Sequence, residues 1–359
     1  MSAPRPRGPR LRELGVAIGR GVPGPENAIT DVPGVGVGHV TIWRDEPEPP
    51  AGRGIGRSGV TVVVPREPGT LVRTPVAAGA SVLNGAGELT SFNVIREWGI
   101  VETPVYLTAT MAVGRIYDGA VAAAVAADPS VGVDVFVIPV VAECDDGWLS
   151  EARVVQVEPT DAGRALEAAS AGRVVEGAVG AGTGMIAFGY KAGIGTASRR
   201  VPELDAVLGV LVLANFGVRR ELRVDGVSVG ELLGGVGARE TPAGSCIAVV
   251  ATDASLGPHE LTRIARRCSL GLARVGSVAY DGSGEIFLAL SMGRAQPLRH
   301  DELDPLFTAT VEATEEAVLN ALWAAPEVVG RELRVAPALP HDRVLTLLEE
   351  HGRVGKRSR

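Results

Sequence analysis

Apolar residues in this chain gather in short, uninterrupted runs separated by glycine, proline and charge. The runs at 59–65, 131–141, 207–214, 245–251 and 286–290 are built mainly from β-branched and aliphatic residues. A run of that length without polar alternation is the pattern of a strand covered on both faces. Between the runs the apolar period becomes helical, at 115–127, 161–171, 258–275 and, apart from an early proline, 303–325. The clearest case is 258–275, where Leu261, Ile264, Ala265, Cys268 and Leu272 draw one apolar stripe behind Pro258 at the first helical position. Strands buried on both sides need helices laid over them, so the pattern predicts an α/β sandwich of stacked layers. No internal repeat and no long linker interrupts it, and 1–359 reads as a single domain with flexible tails at 1–14 and 352–359.

Composition narrows the packing and the partners. Aromatic residues are only 4% of the chain while glycines number 47, so the core must be filled by Ala, Val, Leu and Ile with backbones in close approach. A net charge of −7 argues against nucleic acid or an anionic membrane as partner, because either would favour a basic face; a small molecule or peptide fits better. The apolar stretch 131–142 is interrupted by Asp134 and Pro139 and is too short to span a bilayer. The basic N-terminus lacks the apolar core of a secretion signal. Cys144, Cys246 and Cys268 are widely spaced, which suits a reducing compartment and gives neither a disulfide framework nor a zinc cage. A cytoplasmic location is the expectation.

The most informative local feature is Gly244-Ser245 at the mouth of the run Ser245-Cys-Ile-Ala-Val-Val-Ala-Thr-Asp253. A glycine carbonyl is open to close approach, so the Ser245 hydroxyl can attack the bond before it and pass through an ester. Hydrolysis would free Ser245 as a chain end whose α-amine, with a reference pKa of roughly 7.7 to 8, can act as base for its own hydroxyl. The same residues also read as an ordinary turn into a buried strand. Cys246 is the rival nucleophile, but strand alternation puts Ser245, Ile247 and Val249 on one face and Cys246, Ala248 and Val250 on the other.

Other motifs compete. Gly226-Val-Ser228-Val-Gly230 fits the G-x-S-x-G elbow, yet Asp225-Gly226 is also a hairpin signal flanked by valines. His259-Glu260 begins a zinc-protease pattern that Arg263 breaks. Gly180-Ala-Gly-Thr-Gly184 looks like a phosphate loop, which would make the chain a nucleotide-binding protein, but the Lys-Ser/Thr of a P-loop and the Rossmann spacing are both missing.

Taken with Asn27-Ala-Ile-Thr-Asp-Val-Pro-Gly-Val35, Gly182-Thr-Gly-Met185, Gly193-Ile-Gly-Thr-Ala-Ser-Arg199, Ala214-Asn-Phe-Gly217, Ala251-Thr-Asp-Ala254 and Leu339-Pro-His-Asp-Arg343, the Gly244-Ser245 pair gives almost the whole chain a resemblance. It resembles the DmpA-like family of self-cleaving aminopeptidases, also called L-aminopeptidase/D-esterase, which includes β-aminopeptidases. The resemblance implies a four-layer αββα sandwich, similar to the Ntn-hydrolases but differently connected. It implies a single catalytic domain cut into 1–244 and 245–359, the two pieces staying together and assembling further, typically as a tetramer of pairs. It implies no metal and no cofactor, and small peptides, amides or esters as substrates. A distantly related class, the glutamate N-acetyltransferases, shares the architecture and makes an acyltransferase the alternative, although those enzymes are built around threonine.

Site roles follow from the same resemblance. Ser245 is expected as nucleophile of both self-cleavage and turnover, and Ser283 and Glu285 as the Ser-x-acid pair that holds it. Residues two apart in a strand share a face, so both could point at Ser245; without the resemblance they read as a glycine-rich hairpin. Asn215 is expected to donate its amide to the oxyanion, a role suited to a neutral, rigid donor, and otherwise reads as a strand end. Glu143 is expected to grip the free ammonium of the substrate. Asp145 stands where some relatives carry an aromatic residue, which bears on the pocket beside the amine.

Overall fold

The computed structural model describes residues 5–6, 8–235, 238, 244–293 and 300–354. Strands β1 (Gly36–Asp45), β2 (Ile55–Val64), β5 (Val105–Ala109) and β6 (Val140–Cys144) form one sheet in the order β1-β2-β5-β6. Strands β3 (Val76–Gly85), β4 (Ile100–Val101), β9 (Ile194–Val201), β10 (Ala206–Asn215), β11 (Gly244–Thr252) and β12 (Ser283–Ser291) form a second, ordered β4-β3-β12-β11-β10-β9. Two small ribbons join β7 (Ile186–Ala187) to β8 (Tyr190–Lys191) and β13 (Val328–Val329) to β14 (Val335–Ala336). Helices α3 (Val113–Ala127) and α4 (Thr160–Glu167) cover the first sheet, and α6 (Pro258–Arg274) and α7 (Asp304–Ala324) the second. Shorter helices α1 (Pro68–Arg73), α2 (Phe92–Trp98), α5 (Val229–Leu233) and α8 (His341–Glu350) complete the set.

This is a four-layer αββα sandwich with three apolar seams. Between the sheets, Val63, Leu107 and Ala142 meet Leu211, Ile247, Val249 and Leu288. Between the second sheet and its helices, Val210, Cys246, Ala248 and Phe287 meet Leu261, Ile264, Cys268 and Ala317. Val60, Val62 and Tyr106 close the third seam with Ile116, Ala120 and Ala165. The stripe expected on α6 is therefore the face that lies on the sheet. The low aromatic content is met by close approach: a Cβ at Gly195 would lie 1.9 Å from the Ala317 carbonyl of α7. Only glycine lets that helix settle so near β9.

Three expectations need correction. Only the end of 131–141 is strand: residues 131–135 close a local turn on Asp128 and Ser130, Val133 and Phe136 are exposed, and Pro139 has no N–H to give a ladder. The helix expected over 161–171 ends at Glu167, because Ser170 exchanges both backbone hydrogen bonds with Val37 at the edge strand β1. The expected N-terminal tail is docked from residue 10 onward. Leu11 is buried, Arg12 binds Glu316 at 2.7 Å, and Arg10 binds Glu176 at 2.6 Å. At the other end Val354 packs against the core. The outermost tail residues, 1–4 and 355–359, lie outside the described residues.

Candidate active site

Ser245 begins β11 in the middle of the larger sheet, with β10 on one side and β12 on the other. In the ladders it lies opposite Asn215 on β10 and Gly284 on β12. Alternation holds as the sequence indicated. Ile247 and Val249 point into the seam between the sheets, and Cys246 points into the helix seam, fully buried, where burial pushes its thiol pKa well up. A thiol in that setting is an inert packing group. Gly244 has no room for a side chain, since a Cβ would stand 1.8 Å from the Asn215 carbonyl oxygen.

Asn215 is almost wholly buried, and its amide is held at both ends. Its Oδ1 accepts from the Ile186 N–H at 3.0 Å, and its Nδ2 donates to the Asp145 carbonyl at 2.8 Å. An amide nitrogen carries two hydrogens, so one N–H stays available in a fixed orientation. Asp145 thus enters the site through its main chain. Its side chain is exposed and accepts from Gly147 N–H at 2.9 Å, capping a turn.

Ser283 and Glu285 are brought together: the Ser283 hydroxyl donates to Glu285 Oε1, while Oε2 is buried with no hydrogen-bond partner among the described residues. Their relation to Ser245 differs from the expectation. Ser245 is in register with Gly284, and Gly244 with Ser283. By alternation the pair lies on the opposite face from the Ser245 side chain, flanking the Gly244–Ser245 peptide rather than the hydroxyl. Burial raises the pKa of Glu285, against the hydrogen bond from Ser283.

Glu143 sits on β6 at the seam facing β11, beside Cys144, whose Sγ lies 3.7 Å from the Leu213 carbonyl. It accepts from the Glu88 N–H at 3.0 Å and from the Thr110 hydroxyl, and its carboxylate is only 3.2 Å from where a Cβ on Gly87 would be. Burial raises its pKa, the two hydrogen bonds lower it, and the net shift is upward. Among the described residues no arginine or lysine bonds to either Glu143 or Glu285. Thr110, Glu88 and Ile186, which hold Glu143 and Asn215, carried no sequence signal, because each bonds through a backbone group or a lone hydroxyl.

The competing motifs fall to their surroundings. Val224 and Val227 exchange hydrogen bonds around Asp225-Gly226, both at positive φ, so Ser228 follows a tight turn and not a strand. In the Gly180–Gly184 turn the N–H groups of 180, 181 and 182 are bound to Thr41, Thr61 and Val179, which leaves no nest of free donors there for a phosphate. Among the described residues no group of three His, Cys, Asp or Glu side chains is placed to hold a metal ion.

A strand-end serine facing an oriented amide, near buried carboxylates that have no cation bonded to them among the described residues, defines a class: serine aminopeptidases, hydrolases that act at the free amino end of peptides. The chain belongs to peptidase family S58, whose model matches residues 27–336. It is 41% identical over 377 residues to the β-peptidyl aminopeptidase BapA of Sphingosinicella microcystinivorans, covering 97% of this chain and 93% of that one. The β-aminopeptidase of a Burkholderia species has the same fold, with TM-score 0.87 and 41% identity, over 98% of this chain and all of that one. The L-aminopeptidase D-Ala-esterase/amidase of Ochrobactrum anthropi, described as a variant of the Ntn-hydrolase fold, matches with TM-score 0.88 and 37% identity over 97% of this chain and 100% of its own.

Proposed function

We propose that the chain cuts itself between Gly244 and Ser245 and that the freed Ser245 then hydrolyses the N-terminal residue from small peptides, amides and esters. In the first event the Ser245 Oγ attacks the Gly244 carbonyl carbon and the C–N bond breaks. The nitrogen leaves as the Ser245 α-amine, and water hydrolyses the ester to a Gly244 carboxylate. In turnover the α-amine takes the Oγ proton as the hydroxyl attacks the substrate carbonyl, and passes it to the departing amine. Water then releases the acyl group. Asn215 donates to the oxyanion, Glu143 holds the substrate ammonium, and Ser283 with Glu285 holds the Ser245 amine.

The observation that carries this reading is the register. Asn215 faces Ser245 across one ladder, and Ser283–Glu285 flanks the scissile peptide across the other, leaving a buried carboxylate oxygen for the new ammonium. Three unpaired, buried cysteines suit work in the cytoplasm, and assembly into a tetramer of cut pairs is part of the same proposal. Intact-mass measurement of purified protein should find two pieces, 1–244 and 245–359, with Ser245→Ala remaining whole and inactive. A full-length wild type that turns over peptides would refute it. Aminoacyl p-nitroanilides with L-α, D-α and β backbones then rank the acyl preference.

A further inference from the structure

Lys191 is fully buried, bonds to no acid among the described residues, and is used by none of the steps above. Its Nζ donates to three backbone carbonyls, those of Gly182 at 2.9 Å, Met185 at 2.8 Å and Ala192 at 2.7 Å. Three acceptors match the three N–H bonds of an ammonium. A neutral amine has two N–H bonds and a lone pair, which would confront one of these oxygens. Burial pushes the lysine pKa well down, while the three carbonyl oxygens around Nζ are an arrangement in which only the protonated form has every N–H bonded.

The Met185 carbonyl belongs to the same peptide unit as the Ile186 N–H, and that N–H is the donor to Asn215 Oδ1. A trans peptide points its C=O and N–H in opposite directions within one plane. An ammonium that fixes the carbonyl on one side therefore fixes the N–H on the other, and with it the rotation of the Asn215 amide. The backbone N–H of Ala192 reinforces the same carbonyl at 3.1 Å. The Lys191 N–H itself is bound to the Pro337 carbonyl, so the anchor is tied to the last part of the chain as well.

We infer that Lys191 is a positioning residue for the oxyanion donor: its ammonium, caged by the Gly182, Met185 and Ala192 carbonyls, orients the 185–186 peptide that aims Asn215. The inference rests on Asn215 serving the oxyanion, so both residues are tested in parallel. Asn215→Ala should lower kcat by roughly 10²- to 10³-fold, the range for loss of one such donor. Lys191→Met and Lys191→Ala should lower kcat at least tenfold with KM changed less than threefold, and should slow cutting at Gly244. Ammonium or methylammonium chloride, whose cation can enter the emptied carbonyl cage, should restore kcat in Lys191→Ala but not in Asn215→Ala or Lys191→Met. Lys191→Gln keeps two N–H donors, serves as the variant most able to fold, and should be intermediate.

If Asn215→Ala retains full activity, the oxyanion assignment falls, whatever Lys191 does. If Asn215→Ala is crippled while folded Lys191 variants match wild type, only the lysine inference falls. Parallel loss of kcat and rise in KM without rescue by ammonium, or failure of all three lysine variants to fold even in ammonium, makes Lys191 a purely structural residue and overturns the inference.

Discussion

Two regions of this molecule treat their buried carboxylates differently. Where the N-terminal segment crosses α7, Glu312 and Glu316 surround Arg199, whose guanidinium lies 3.2 Å from one and 2.7 Å from the other. Arg12 reaches Glu316 from the far side, and Asn27 Nδ2 adds a bond of 2.6 Å. Burial works against ionisation of Glu312, yet the N–H groups of Arg20 and Gly21 and the Arg199 guanidinium outweigh it and hold its pKa down. Around the Gly244–Ser245 strand end, on the two faces of the sheet, Glu143 and Glu285 are buried with hydroxyl and amide donors only among the described residues, and their pKa values are raised. Both regions accept the cost of desolvating an acid, but among the described residues only the first supplies a cation that offsets it. The ammonium-holding role proposed for Glu143 draws on that difference. Glu176 shows that the offset is one of degree: fully buried, it is pushed up to about 7 even with Arg10 beside it.

The contrast can be broken most forcefully at Arg199. Arg199→Met takes from Glu312 the guanidinium bonded to it and leaves Glu316 to Arg12 alone, and should cost about 3–5 kcal/mol of stability, read from urea unfolding. At the seam the signs reverse. Glu143→Gln removes an uncompensated buried charge, so unfolding should be unchanged or harder. Its kcat/KM for substrates with a free amine should fall roughly 10- to 150-fold, the worth of one charged hydrogen bond. N-acetylated esters, which present no cation, should not separate the two proteins. The smallest effect sharpens the comparison through pH. The raised pKa of Glu143 means that it is neutral below that value and ionised above it, so kcat/KM should fall as pH drops through an apparent pKa above the ordinary 4.5 of a glutamate. That acid limb should move or vanish in Glu143→Gln. A limb retained unchanged in the variant would assign it elsewhere.

The layers were legible because doubly covered strands and one-sided helices have distinct apolar periods. The runs at 207–214 and 245–251 and the stripe of α6 stand in the structure where their patterns put them. Strands such as β1 and β9 mix Thr, Arg, Ser and Gly with their aliphatics, because buried polar side chains there bond to neighbouring backbone. Thr196, for example, takes up both the Ile29 N–H and the Val210 carbonyl. No hydrophobic count finds such a strand. The motif segments also divide in a way that sequence alone conceals. Asn27 and Arg199 build the ion-paired latch under the N-terminus, whereas the peptide that follows Met185 bonds Asn215, which pairs with Ser245. The register of β11 and β12, which sets Ser283 and Glu285 beside the Gly244–Ser245 peptide, depends on pairing across the sheet and is invisible along the chain.

The place of β11 and β12 has one more consequence. Both lie inside the larger sheet, bordered by β3 and β10, and the stretch that follows residue 244 also supplies α6 and α7. A break before Ser245 would leave two polypeptides inlaid in each other like the fingers of clasped hands. Neither could withdraw without stripping a ladder on each side and baring the roof of the sheet to water, so scission would change the chemistry at one bond and leave the cohesion of the body untouched.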